Sequence, residues 1–346
     1  MILPSAAAKI VYQGKNICCS IKLSGTVVRG LACSTEDTAG TRKRRSKLFS
    51  DEKKRQKSAV GRIEKIEVQY IGTPADATLV MNKGISTPFN CAEHMSEMLM
   101  QRSALALLDD SELWDMHRPL PRSCSLQLLH FQDEDPRHVN RAFWRTCSMA
   151  LGAVIENAFK EDITVRLHSF PPPNIKSGSF VYDVDLSLSD WQPNQDELRS
   201  LSGQMVELAK RAYRIERLSV PADIALEMFA DNPHKLQQIP DIASSDPNGD
   251  ITVYRMGEHV DISRGPLVGN TGFIGRCTVT AVHHVETDSG SLYRFQGVAL
   301  PRGLMLNHYA YGILESRASK LNTLHLPDSY KAEPAKTASV MASTVA

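Results

Sequence analysis

The stretch VNRAFWRTCSMALGAVIENAF, residues 139–159, limits the fold more than any other part of the chain. Its apolar residues cover too wide an arc for a surface helix, so it reads as a long helix buried on more than one face. Such a helix lies inside a core, and its neighbours decide the architecture. GSFVYDVDLSL reads as a strand, while NQDELRSLSGQMVELAKRAY spaces Leu198, Leu201, Met205 and Leu208 along one helical face. PADIALEMF is a short helix, and DITVYRMGEHVDISRGPLV, CTVTAVHHVE and SLYRFQGVAL supply sheet. Helix, strand, helices and a sheet-rich end predict an α+β fold with antiparallel strands. A C-terminal helix over 306–325 and a disordered tail over 326–346 are expected after it.

Upstream, residues 62–132 have a different texture, set off by the polar break DEDP at 133–136. RIEKIEVQYI alternates Ile63, Ile66, Val68 and Tyr70, and ATLVMNKGIST continues in strand fashion with a turn at Asn82-Lys83-Gly84. In NCAEHMSEMLMQR, Asn90 is the expected N-cap, with Met95, Met98 and Leu99 at helical spacing. SALALL and CSLQLLHF read as strands on either side of the turn-rich DDSELWDMHRPLPRS. Two strands, a helix and further strands describe a small β-grasp-like module.

Charge is distributed unevenly although the net value is only +1. Residues 1–35 carry Lys9, Lys15, Lys22 and Arg29, several serines and no acid, the first carboxylate being Glu36. That is the composition of a mitochondrial transit peptide, or of an ordinary disordered start. A basic arm over 36–61 follows, containing Arg42, Lys43, Arg44, Arg45, Lys47, Lys53, Lys54, Arg55 and Lys57 against Asp51 and Glu52. Such a block is expected to stay out of any core, as an extended arm or solvated helix. It is either an RNA-binding element or a solvated charge run. The seven cysteines show no Cys-x-x-Cys pair outside the leader, which fits buried thiols rather than a disulfide framework. No run approaches the roughly 18 apolar residues of a membrane span, so no membrane association is expected.

Candidate chemistry is sparse. His283 and His284 are neighbours on a strand and point to opposite faces, so they cannot chelate one ion. Cys91 and His94 share a helical face but offer two ligands where zinc needs three or four. VGNTGFIG has no helix after it to make a phosphate cradle. Ser263 has no G-x-S-x-G setting, and Trp114, Trp144 and Trp191 suit a core or interface better than a stacking platform. Neither a cofactor nor a metal is expected.

Several of these segments, taken in order, resemble a known arrangement. IEKIEVQY, ISTPFNCAEHMSEML and MHRPLPRSCSLQLLHF are similar to the β-grasp (TGS) module of threonyl-tRNA synthetases, over residues 62–131. GAVIENAF, LSGQMVELAKRAYRIERLSV, ALEMF, YRMGEHVDISRGPLV and RFQGVALP resemble the editing domain that follows in those enzymes, over residues 136–305. The implied fold is therefore α+β, a β-grasp domain followed by an editing-like α+β domain. Editing domains use a His-x-x-x-His helix and a Cys-x-x-x-His loop within V-D-x-C-R-G-P-H-V. Here the corresponding positions hold Arg145, Met149, Ser263 and Leu267, while the Arg264-Gly265-Pro266 frame persists. Neither an arginine cation nor a leucine can act as a neutral base or ligate a metal, so no catalytic residue is expected.

About forty residues follow position 305, too few for the synthetase's aminoacylation domain. The whole pattern resembles a family of mitochondrial large-subunit ribosomal proteins. That resemblance implies a non-catalytic role in the mitochondrial matrix, with large-subunit rRNA and other mitoribosomal proteins as partners and no small-molecule substrate. Two other readings stay open from the residues: a free-standing tRNA-binding protein, and a trans-editing hydrolase rebuilt on Ser263, Cys147 or His259.

Overall fold

Alternation in KIEVQY buries Ile66, Val68 and Tyr70 on one face of β1 (Lys65–Tyr70), which pairs antiparallel with β2 (Ala77–Asn82). Further along lie α2 (Pro88–Met95), α3 (Glu97–Arg102), β3 (Leu105–Leu108), β4 (Glu112–Trp114) and β5 (Cys124–Leu129). The strands form one sheet in the order β2-β1-β5-β3-β4, with β1 and β5 parallel and the other pairs antiparallel. These elements come from a computed structural model that describes residues 38–188, 191–287 and 290–326. The expectations for the leader at 1–35 and for the tail from residue 327 lie outside the described residues.

Three local expectations are corrected in this sheet. Thr87, not Asn90, is the N-cap of α2; Asn90 sits at the third helical position and closes a capping box, each residue bonding the other's backbone N–H. The expected continuous helix breaks at Ser96, whose extended backbone ends α2 while its side chain caps α3 at Leu99 N. That break turns Met98 outward, 57% exposed, and leaves Leu99 in the core. The segment read as turn contains β4, whose Trp114 is buried against this core.

The apolar stretch forms α4 (Arg137–Ala158), buried almost continuously from Ala142 to Glu156. It is covered by β6 (Val165–Ser169) and β7 (Phe180–Leu186) on one side and by α5 (Gln195–Lys210) on another. Gly152 permits this closeness, since a Cβ there would lie 2.6 Å from the Tyr182 ring. The chain continues through β8 (Ile215–Pro221), α6 (Ala222–Met228), α7 (Pro233–Ser245), β9 (Asp250–Met256), β10 (His259–Ile262), β11 (Ile274–Thr287), β12 (Gly290–Pro301) and α8 (His308–Ala318). Strands β10-β9-β8 make one antiparallel sheet and β11-β12-β7-β6 another. The long hairpin of β11 and β12 lies between α5 and α8. Helix α8 occupies only the middle of the span expected for it.

The basic arm departs most from expectation. Residues Thr38–Ala59 form α1, and one side of that helix is built into the fold. Thr41, Arg45, Phe49 and Glu52 recur at helical spacing and are all buried. Phe49 packs among Leu218, Val220, Val253 and Val260, and the Arg255 guanidinium lies 4.5 Å over its ring. The arm therefore enters a core after all, because acids elsewhere in the chain neutralise the arginines it brings.

Candidate functional site

The loop at residues 263–268 leaves β10 and crosses the middle of α4. Three bonds fix it. Arg145 Nη1 donates to Pro266 O at 3.0 Å, Val268 N donates to Thr146 Oγ1 at 3.0 Å, and Leu267 N donates to Asp115 Oδ1 at 2.9 Å. Asp115 comes from the end of β4, so the five-stranded sheet supplies part of the loop's support. Its carboxylate also accepts from Tyr254 Oη at 3.0 Å and lies 3.7 Å from Arg217 Nε. Burial pushes the Asp115 carboxyl above its ordinary range, against the pull of the Leu267 amide, Arg217 and Tyr254. Nothing in the sequence marks Asp115, which falls in the segment read as turn.

Gly265 makes the frame possible. It has φ +69°, and a Cβ there would sit 1.9 Å from Tyr254 Oη. Among the described residues, Gly265-Pro266 is one of two cis peptide bonds.

The four positions that the resemblance singled out separate into two pairs. Met149 and Leu267, 0% and 1% exposed, belong to the main hydrophobic core. Arg145 and Ser263 line a cleft of about 700 Å³ together with Arg141, Lys235, Gln238 and Arg264. Ser263 Oγ accepts from Gly265 N at 3.3 Å, and among the described residues no imidazole or carboxylate bonds it. Cys147 is fully buried, and burial, with Cys277 nearby, pushes its thiol well above the ordinary range. His259 lines a separate cleft of about 580 Å³ and binds Glu156 through Nδ1 at 2.7 Å. Ser263, Cys147 and His259 thus face three different environments, and no nucleophile–base pair forms among them.

A chain of buried charges runs behind this region. Alternate residues of β10, His259 and Asp261, project to one face. Asp261 pairs with Lys235 Nζ at 2.6 Å and accepts from Tyr182 Oη, while Glu156 takes His259 and Arg45 Nη1 at 3.0 Å. Arg45 Nη2 continues to Asp231 at 2.8 Å. Burial would raise the Glu156 carboxyl, but Arg45 and His259 outweigh it and hold it at about 2.

Five of the nine basic residues of α1 have internal partners. Arg45 is one; Arg42 bonds Glu156 O at 3.0 Å, Arg44 bonds Asp231 at 3.0 Å, Arg55 bonds Glu52 at 2.6 Å, and Lys53 pairs with Glu216. Lys43, Lys47, Lys54 and Lys57 are exposed, and none forms an ion pair among the described residues. At 3.6 residues per turn these four fall on a single stripe opposite Thr41, Arg45, Phe49 and Glu52. The other motifs remain structural. Cys91 is buried where His94 is exposed, and His283 and His284 bond Ser319 O and Ser291 respectively, on opposite faces of β11.

Fold and site together define an α+β domain of the threonyl-tRNA synthetase editing kind, with Met149 and Leu267 packed in its core and Arg145 and Ser263 on a cleft. Residues 251–296 match the family described as the threonyl and alanyl tRNA synthetase second additional domain. The mitochondrial threonine–tRNA ligase 1 of Arabidopsis thaliana is 30% identical over 239 residues, covering 67% of this chain and 31% of the ligase. The cytoplasmic threonine–tRNA ligase 1 of Bos taurus is 28% identical, covering 65% of this chain and 29% of the ligase. This chain thus spans less than a third of either ligase. The large ribosomal subunit protein mL39 of Drosophila melanogaster is 56% identical over 287 residues, covering 82% of this chain and 86% of that protein. The chain belongs to the mL39 family of large ribosomal subunit proteins.

Proposed function

We propose that the chain is a structural, non-catalytic component of the large subunit of the mitochondrial ribosome, where it contacts ribosomal RNA and neighbouring proteins. The observation that carries this reading is the 56% identity to Drosophila mL39 along most of both chains. The site agrees with it: Met149 and Leu267 are core residues, and Ser263 has no base. RNA contact is assigned to the stripe of Lys43, Lys47, Lys54 and Lys57, which presents four charges outward from a rigid, docked helix. Phosphate contact needs charge and shape and no catalytic pocket. Arg42, Arg44, Arg45, Lys53 and Arg55 serve instead to seat that helix. The basic, acid-free composition of residues 1–35 supports their reading as an import signal, and with it a matrix location.

Sedimentation of lysed mitochondria tests the assignment. The tagged chain should travel with large ribosomal subunits in moderate salt and shift to light fractions after ribonuclease treatment. A chain found only in light fractions before ribonuclease refutes it. Replacing the four stripe lysines by alanine should change the unfolding free energy by no more than about 0.5 kcal/mol. Removal of each lysine that contacts phosphate should also lower the salt slope of single-stranded RNA binding by about 0.7.

A further inference from the structure

The cleft beside Ser263 gathers three guanidinium groups, those of the exposed Arg141 and Arg264 and the half-buried Arg145. Arg141 and Arg145 stand one turn apart on α4, Arg264 lies on the loop after β10, and all three line the same cavity of about 700 Å³. Three guanidinium groups elsewhere are neutralised by carboxylates, Arg45 by Glu156 and Asp231, Arg294 by Asp183 and Arg255 by Glu216, while Arg118 lies over the Trp114 ring instead. Among the described residues, none of the three cleft arginines forms an ion pair. Their one guanidinium hydrogen bond is that from Arg145 to Pro266 O. Burial draws Arg145 below its ordinary range; Tyr254 and Asp115 resist, and the like charges of Arg141 and Arg264 add to the fall. A bound anion would relieve that repulsion.

We infer that this cleft is a phosphate-binding site, with Arg141, Arg145 and Arg264 as the donors to its oxygens. The planar guanidinium forks match phosphate oxygens in pairs, and Arg145 is held in place from behind by the Pro266 carbonyl. Ser263 and Gln238, in the same lining, add neutral donors. Lys235 also lines the cavity but is taken by Asp261. The carboxylates of the lining, Asp241 on α7, Asp246 in the turn after it and Asp250 at the start of β9, form no ion pair with a cleft arginine among the described residues. Two of them are engaged locally: Asp246 accepts from Asn248 N and Asp250 N, and Asp250 accepts from Ser219 Oγ. They keep an anion at the arginine end. The site depends on arginine at position 145, where the editing pattern has histidine, so it is separate from the editing chemistry. It also stands apart from the ribosomal assignment, because its test needs only the purified chain.

The phosphate can come from an RNA backbone or from a free polyphosphate, and the test has an arm for each. Calorimetric titration with pyrophosphate, and separately with a short single-stranded RNA, is compared between the parent chain and the exposed pair Arg141→Ala/Arg264→Ala. Alanine at the four stripe lysines of α1 in every sample removes competing RNA contacts. We expect at least about tenfold weaker binding in the variant with an unchanged unfolding temperature. Loss with pyrophosphate assigns a free source, and loss with RNA alone assigns a strand; either supports the site. Absence of binding to both probes, undiminished binding in the variant, or equally tight binding of a glutamate-rich peptide overturns it.

Discussion

Replacing Arg45 by methionine should unseat α1. The guanidinium is 4% exposed, bonds Glu156 at 3.0 Å and Asp231 at 2.8 Å, and lies 5.1 Å over the Phe229 ring. Methionine keeps an unbranched apolar chain of similar reach, so the substitution removes charge with little change in packing. Breaking a buried pair by removing one partner costs about 3–5 kcal/mol, because the other charge is left uncompensated. Here Glu156 keeps His259, and Asp231, about a third exposed, keeps Arg44, which puts the loss near the lower figure, about 3 kcal/mol. For a folded unit of this size that corresponds to a fall of roughly 6 °C in melting temperature. Because α1 contains nine lysines and arginines, limited trypsin digestion reads its docking directly, and the variant should be cut there first. Adding Glu156→Gln should recover part of the loss, since the buried carboxylate left with one cation fewer is then neutral. A variant that loses less than about 1 kcal/mol with unchanged trypsin resistance, or a double variant with no recovery, refutes the reasoning.

The same network predicts a pH dependence. Glu156 is held at about 2 against an ordinary 4.5, so its contribution is complete above about pH 4.5 and is lost as the pH falls toward 2. Urea midpoints at about pH 6 and about pH 3 should therefore differ more in the parent than in Glu156→Gln. Gly265→Ala should destabilise by about 2 kcal/mol or more, measured by thermal unfolding, because the residue has φ +69° and Tyr254 occupies the space a Cβ needs. Restoring the editing residues with Ser263→Cys and Leu267→His should yield no deacylation of mischarged threonine tRNA. It should cost about 2–4 kcal/mol, because the new imidazole enters an apolar core; measurable hydrolysis would show that the loop still faces a substrate.

Much of this arrangement is legible in the sequence where one segment decides its own environment. The burial of α4 follows from its apolar arc, β1 follows from alternation, and β7, β11 and β12 follow from their strand-like runs. The substituted loop is visible because the Arg264-Gly265-Pro266 frame survives around it. What escapes depends on partners distant in sequence. The docking of α1 requires Glu156, more than a hundred residues away, and composition registers only that the helix is basic. Asp115 becomes a structural group only once Tyr254 and Leu267 meet it. Helix α7 is hidden by Pro240 in its interior, a residue that removes one helical N–H; Asn232 at its start, bonding the backbone of His234 and Lys235, and Ile239 in the core hold it nonetheless.

The loop at residues 263–268 shows how a pocket-shaped frame can be held by packing and backbone bonds alone. A hydrolytic site needs polar groups aimed into a cleft, each held by a further partner. At Leu267 the backbone N–H is tied to Asp115, and the side chain is an apolar plug in a closed core. Leucine therefore suits the position better than an imidazole would, since it asks for no hydrogen-bond partner. Position 145 has changed in the other sense. Its arginine faces the cleft and uses a backbone carbonyl of the loop as its anchor, which ties the helix to the loop from the solvent side. Gly265 cannot change without displacing Tyr254, and Tyr254 holds the same Asp115 that anchors Leu267. The loop persists because α4, β9 and the five-stranded sheet all bond through it, and that requirement is independent of catalysis.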